Sequence, residues 1–187
     1  PRVKVTIRSQ QAKTQSPVKP AAASAAASKM APSRAVVAGT LEAAIERHIK
    51  LLRRKGRIAA DERTGWSVFD FTTGEKLVTI NEDTPFQAAS LIKPFIAAAY
   101  FERVHSGKLK YSARVRQRME RMIRVSDNGA TNWITKRVGG PRAVEKLLKR
   151  KHPGVFRQTR IVEYIPANGR TYKNQASVHD YSRFLYA

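Results

Sequence analysis

The chain has 187 residues and a formal net charge of +22, from 36 lysines and arginines against 14 acidic residues. Its 42% hydrophobic content supports one sizeable core and excludes disorder throughout. The absence of cysteine excludes disulfides and thiolate metal sites, and no apolar run is long enough to span a bilayer. The positive charge favours an anionic partner, and bacterial wall polymers, acidic lipid headgroups and nucleic acid would all satisfy it.

The N-terminal part of the chain divides into a tail and the first elements of a folded body. Residues 1–35 are rich in alanine, serine, proline and lysine, and they predict a disordered linker or tether. Thr40 can cap a helix whose apolar residues keep helical spacing until Gly56. Residues 66–71 and 76–80 then predict a β-hairpin that turns at 72–75.

The remainder of the folded body, residues 36–187, is predicted to be mainly helical. Apolar spacing predicts helices over 90–105, about 114–124, 129–138 and 141–150, and from about Ser177 onward, with a loop over 155–176. A helix, a hairpin and then a run of helices indicate an α+β fold in which a sheet is flanked by helices and by an all-helical lobe.

A serine and a lysine three residues apart open the predicted helix at 90–105. Ser90 and Lys93 share one helix face, and a serine hydroxyl becomes a good nucleophile only when a nearby base takes its proton. Lys93 can be that base if its ammonium is desolvated. Ser126, which opens a Ser-Asp-Asn triplet, is the candidate for relaying the proton. The same pattern at Ser16 lies in the linker and lacks apolar spacing.

Three ordered motifs of residues 36–187 resemble those of the class A β-lactamases and the related penicillin-binding D,D-peptidases. They are Phe86-x-x-x-Ser90-x-x-Lys93, Ser126-Asp127-Asn128-Gly129-Ala130-Thr131-Asn132, and Gly139-Gly140-Pro141. The resemblance implies a β-lactamase-like fold and a serine acyl-transfer site.

The same resemblance implies a role for each matching residue. Ser90 would be the acylated nucleophile, and its backbone N–H would supply half of an oxyanion hole. Lys93 would activate Ser90, and Ser126 would pass a proton to the leaving nitrogen. Asn128 would hold the substrate amide.

Two departures from the family pattern concern the extent of the chain and the openness of the site. No Lys-Thr-Gly-like motif follows the second motif, so we expect the front two-thirds of such a domain, with its C-terminal strands missing and its sheet incomplete. Only 36 residues separate Ser90 from Ser126, which is short for the class A enzymes, so we expect a more open site.

A third departure concerns the base that would hydrolyse the acyl-enzyme. Glu163 is the only acid in the 155–176 loop, but its register from Ser126 is off by one and the loop lacks the family's Glu-Leu-Asn pattern. Asn132, a candidate substrate-binding residue on the 129–138 helix, could also hold Glu163. We therefore expect slow deacylation.

The sequence favours an exported serine hydrolase, periplasmic or extracellular in a bacterial envelope, that acts on a β-lactam or a peptidoglycan-type D-Ala-D-Ala peptide. The alternative is a catalytically silent cationic module that binds an anionic envelope polymer. Nucleic acid is disfavoured because no aromatics are interleaved with the basic runs at 53–55 and 149–151. The four histidines share no metal-ligand spacing, so neither a metal nor a cofactor is expected.

Overall fold

The computed structural model describes residues 34–166 and 173–187. Helix α1 (Arg34–Arg54) begins before the predicted start at Thr40 and ends just before Gly56, as predicted. The predicted linker over 1–35 lies outside the described residues, except for its last two residues, which begin α1.

The predicted hairpin is present, with shorter strands than the sequence indicates. Strands β1 (Val68–Asp70) and β2 (Glu75–Val78) pair antiparallel. The Asp70 carboxylate accepts the Thr72 backbone N–H at 2.8 Å, and Gly74 supplies the positive φ of 71° that the turn requires. Helix α1 lies against β2, where Glu42 accepts the Thr79 backbone N–H at 2.8 Å.

A second pair of strands was not predicted. Strand β3 (Phe86–Gln87) pairs antiparallel with β4 (Gln175–Ala176), so the predicted 155–176 loop ends in a strand. The Ala88 backbone N–H extends the pairing by donating to the Asn174 carbonyl at 2.9 Å. Strands of two residues are too short for an alternating pattern, and this pair fixes the chain immediately before Ser90.

The helices occupy the predicted positions. A 3₁₀ turn over Ala89–Ile92 leads directly into the next helix. The helices that follow are α2 (Lys93–His105), α3 (Ala113–Arg124), α4 (Asn128–Val138), α5 (Pro141–Lys151) and α6 (Val178–Tyr186). Helix α2 contacts α3, α4 and α5, and its buried apolar residues belong to the main apolar core. This arrangement of helices and small antiparallel sheets confirms the α+β class.

Apolar side chains remain uncovered beside the hairpin, as an incomplete sheet would leave them. The Phe69 ring contacts Phe71 and Tyr186 at centroid distances of 5.5 and 4.8 Å, while Phe71 is 62% and Tyr186 61% exposed. Trp66 is 39% exposed. Among the described residues, no helix is long and apolar enough to cross a membrane.

Candidate active site

Ser90 lies on the 3₁₀ turn that joins β3 to α2, and its position is set on both sides. The preceding Ala89 has a φ of 44°, a conformation that is uncommon for a residue with a side chain. On the other side, α2 begins with Lys93 and carries Pro94 in its first turn, where proline costs little. The turn leaves Ser90 exposed to solvent while Lys93 is only 2% exposed.

The Ser126 turn connects α3 to α4 and is held by Asp127. The Asp127 carboxylate caps α4 by accepting the Ala130 backbone N–H at 2.7 Å, and it pairs with Arg121 of α3. The hydrogen bond from the Ala130 N–H holds the pKa of Asp127 below its usual value, and Arg121 lowers it further. Ser126 has a φ of 57°, so both serines of the site lie beside or at an uncommon backbone conformation.

The structure brings Ser90, Lys93, Ser126 and Asn128 together. Lys93 Nζ lies 3.0 Å from Ser90 Oγ and 2.6 Å from Ser126 Oγ, and the two hydroxyl oxygens are 2.9 Å apart. The three atoms form a closed triangle in which every side is a hydrogen bond. The Lys93 ammonium also donates to the Asn128 side-chain oxygen at 2.9 Å and to the Ser126 carbonyl at 2.6 Å.

The surroundings of Lys93 suit it for exchanging a proton. Burial lowers the pKa of Lys93 from its ordinary value, and the negative charge of Asp127 opposes this only in part. A lysine with a lowered pKa has more neutral amine near physiological pH. That amine lies within hydrogen-bond distance of the exposed Ser90 hydroxyl, so the arrangement can deprotonate a serine that a substrate can reach.

Asn132 lies one turn after Asn128 on α4 and contacts the loop after α5. Its side-chain oxygen accepts the Ile165 backbone N–H and its NH₂ donates to the Ile165 carbonyl, both at 2.8 Å. The expected hydrogen bond from Asn132 to Glu163 is not formed. The amide of Asn132 holds the main chain of Ile165 instead, and Ile165 is a buried apolar residue.

Glu163 is turned toward the second half of its own loop. Its carboxylate accepts the backbone N–H of Lys173, and its backbone N–H donates to the Asn174 side chain at 3.2 Å. None of the hydrogen bonds within 34–166 and 173–187 joins its carboxylate to Ser90 or Lys93. The structure therefore brings four of the six predicted site residues into one cluster and leaves Asn132 and Glu163 in separate contacts.

The residue that organises this loop, Asp180, was not predicted. It is fully buried on α6, and its carboxylate accepts the backbone N–H groups of Gln158 and Thr159, each at 2.8 Å, and the Thr159 hydroxyl at 2.7 Å. Ser177 caps α6 by accepting the Asp180 N–H. The Ser-x-x-Asp spacing resembles a capping box, which was an available signal, but the carboxylate holds a distant loop instead.

Within residues 34–166 and 173–187, one group of possible metal ligands lies outside this site. The ligand atoms of Glu82, Asp83 and His179 lie within 4.8 Å of one another. Lys76 Nζ lies 2.7 Å from the Glu82 carboxylate, and Arg183 Nη2 lies 3.4 Å from the Asp83 carboxylate. Each of the two carboxylates already has a cationic partner, so we interpret the cluster as an ion-pair network that fastens α6 to the segment before β3.

The family of the chain follows from its sequence. The family model for the Beta-lactamase enzyme family matches residues 44–120 and 112–187, which includes every residue of the site. The chain therefore belongs to the Beta-lactamase enzyme family. No curated protein matches the chain.

Solved structures share the fold. A variant of the class A β-lactamase of the last common ancestor of Gram-negative bacteria matches with a TM-score of 0.60 at 24% identity, over 75% of this chain and 60% of that chain. The ancestral enzyme itself matches with a TM-score of 0.61 at 23% identity, over 76% of this chain and 62% of that chain. A mutant of PBP-A, in an acyl-enzyme complex with penicillin G, matches with a TM-score of 0.62 at 20% identity, over 83% of this chain and 62% of that chain. This chain spans about three-fifths of the length of these structures.

Proposed function

We propose that this chain carries the acylation centre of an exported serine hydrolase that forms an acyl-enzyme on Ser90 with β-lactams or D-Ala-D-Ala type peptides. The observation that carries the proposal is the hydrogen-bonded triangle of Ser90 Oγ, Lys93 Nζ and Ser126 Oγ, with sides of 3.0, 2.6 and 2.9 Å. A structural role for Ser90 as a helix cap does not require a buried lysine and a second hydroxyl at these distances.

The acylation step follows from the proton positions that the triangle allows. The neutral amine of Lys93 takes the Ser90 hydroxyl proton as Ser90 Oγ attacks the substrate carbonyl carbon, and negative charge collects on the carbonyl oxygen. The Ser90 backbone N–H stabilises that charge. The carbon–nitrogen bond then breaks, Ser126 gives its hydroxyl proton to the leaving nitrogen, and Lys93 returns its proton to Ser126. No proton is gained or lost in the sequence.

Asn128 is proposed to orient the substrate. Its side-chain oxygen lies 2.9 Å from Lys93 Nζ, which fixes the plane of the amide at the edge of the cluster. The NH₂ group of Asn128 is then free to donate to the carbonyl of a substrate amide. Class A β-lactamase and PBP-A neighbours, the latter solved with penicillin G attached, support β-lactams and related acyl donors as the substrate class.

We propose that deacylation is slow. Hydrolysis of the ester needs a water that is aimed and deprotonated by a base, and displacement of a reacting group by about 1 Å costs on the order of 10²-fold in rate. Glu163, the only acid of the loop, contacts the Lys173 backbone instead of Asn132. The loop approaches α4 through Ile165, which cannot accept a proton.

Intact-mass analysis after exposure to penicillin G tests the proposed nucleophile. The wild-type chain is expected to gain the mass of one penicillin, and Ser90→Ala is expected to remove that gain. Ser182→Ala, which removes a half-buried serine on α6, serves as the control and should still be acylated. An adduct that persists in Ser90→Ala would assign the nucleophile elsewhere, and a folded wild type without any adduct would favour a catalytically silent protein.

A further inference from the structure

Trp133 on α4 is surrounded by arginines from two helices. The guanidinium carbon of Arg137 lies 4.4 Å from the Trp133 ring centroid, and those of Arg114 and Arg118 on α3 lie 5.7 and 5.9 Å from it. The sequence suggests that Trp133 is an ordinary core residue. The structure leaves it half-buried, with three cations within 6 Å of one ring. We call Arg114, Arg118, Trp133 and Arg137 the arginine–tryptophan surface.

The positive charge of this surface has little negative charge to balance it. None of its three arginines makes an ion pair or hydrogen bond with a carboxylate in the described part of the chain. Asp127 has Arg118 among its charged neighbours, but it is paired with Arg121. Like charges that converge without a counter-charge repel one another, and an anionic ligand relieves that repulsion.

The ring also fixes the geometry of the guanidinium groups. A guanidinium that stacks on an aromatic face loses part of its rotational freedom before any ligand arrives, so less entropy is lost on binding. Planar guanidinium groups bind phosphate through paired hydrogen bonds. A phosphate offers more acceptor oxygens to converging arginines than a carboxylate does, so the surface fits phosphate better.

We infer that the arginine–tryptophan surface binds a flexible polyanion that carries phosphate groups and no bases. A chain of phosphates can present successive charges to arginines on two neighbouring helices. Proteins that bind single-stranded nucleic acid stack its bases on open aromatic faces. The Trp133 ring is approached by guanidinium groups at 4.4 to 5.9 Å, so it does not offer an open face to a base.

The test must separate a local site from the general attraction of a chain with a net charge of +22. One triple variant changes Arg114, Arg118 and Arg137 to glutamine. The matched control changes Lys55, Lys108 and Lys151, which are exposed and lie far apart in sequence, to glutamine. Both lose three positive charges. Binding of inorganic polyphosphate is measured by fluorescence anisotropy over a range of salt concentrations, and circular dichroism verifies folding.

The arginine triple variant should bind polyphosphate at least about tenfold more weakly than the control, and the slope of log K against log salt should fall by about two to three. The control should keep a slope close to that of the wild type. Equal losses in both triples would overturn the inference in favour of diffuse charge. Should the arginine triple variant fail to fold, Arg137→Gln alone, at an exposed position, should still lower the slope by about one.

The class of polyanion is tested with two further probes on the wild type. An oligothymidylate of equal charge and vesicles of phosphatidylglycerol should both bind more weakly than polyphosphate at the same salt concentration. Tighter binding of the oligothymidylate would identify nucleic acid as the ligand instead of a base-free polymer. Tighter binding of the vesicles would identify a membrane surface instead. Either result would overturn the inferred ligand.

Discussion

The Ser90 cluster and the loop that carries Glu163 both lie in the β-lactamase-like fold, but they are built in different ways. In the cluster, side chains from the starts of α2 and α4 contact one another directly, and Lys93 alone reaches four acceptor atoms. In the loop, side chains of α4 and α6 hold main-chain atoms. Asn132 holds Ile165, and Asp180 holds the 157–159 segment.

Under the proposed function, this difference would support the two chemical steps unequally. The cluster fixes the proposed reactive atoms themselves, so acylation would need no side chain of the loop. The anchors of the loop fix its path but leave its acid, Glu163, bonded to the Lys173 backbone. A loop can therefore be well anchored and still lack a base in the position that water activation requires.

The largest effect is expected from Lys93→Ala, which breaks the cluster and leaves the loop intact. Loss of the general base should slow acylation of Ser90 by about 10²–10⁴-fold. Stopped-flow mixing with a chromogenic β-lactam measures the rate, and Lys149→Ala, a surface lysine paired with Glu145, is the control. Acylation at the wild-type rate in Lys93→Ala would remove Lys93 from the mechanism.

The pH dependence of acylation sharpens the assignment to Lys93. Burial lowers the pKa of Lys93, and only its neutral form accepts the Ser90 proton. The acylation rate of the wild type should therefore rise with pH, with a midpoint below 10.5, the ordinary value for lysine. The rise should be absent in Lys93→Ala. A wild-type rate that falls with increasing pH over the same interval would contradict a lysine base.

The second largest effect is expected from Asp180→Ala, which breaks the loop without touching the cluster. The change leaves buried N–H groups of the 157–159 segment without acceptors and the Arg183 guanidinium without its 3.0 Å partner. The free energy of unfolding should fall by about 3–5 kcal/mol. Urea denaturation measures it, with Asp61→Ala, which removes an exposed acid before β1, as the control. A loss below 1 kcal/mol, roughly the scale of a surface pair, would show that Asp180 is not an anchor.

A smaller effect is expected from Asn132→Ala, which distinguishes a loop anchor from a substrate-binding residue. The substitution leaves the N–H and carbonyl of Ile165 unpaired and should lower the free energy of unfolding by about 1–3 kcal/mol. Limited proteolysis should cut the 155–166 segment sooner. Acylation of Ser90 should change by only a few-fold, because the side-chain hydrogen bonds of Asn132 within the described residues go to Ile165 and not to the cluster. A large fall in the acylation rate with unchanged stability would return Asn132 to substrate binding.

The helices and the cluster were predictable because their signals are local. Apolar residues at helical spacing placed α2 to α5 within a few residues, and the three-residue step from Ser90 to Lys93 fixes their common face. Proximity to Ser126 required the family resemblance, since sequence spacing alone does not determine which helices meet.

The loop was less predictable because its conformation depends on distant partners. Asp180 lies more than twenty residues beyond the main-chain atoms that it holds, and the β3–β4 pair joins segments of two residues each. Trp133 illustrates the same limit on the surface. Its helical position resembles a core position. Two of the arginines that approach it, Arg114 and Arg118, come from α3, and no pattern within α4 indicates these two residues.

The time course of hydrolysis of a chromogenic β-lactam tests most directly the claim that acylation is supported and deacylation is not. For the wild type we expect a burst of about one equivalent of product followed by slow turnover, with Glu163→Gln changing the slow phase by less than about tenfold. Glu62→Gln, which alters an exposed acid before β1, is the matched control. Two results together would contradict the account: fast steady turnover without a burst in the wild type, and accumulation of the acyl-enzyme in Glu163→Gln. They would identify Glu163 as the deacylating base.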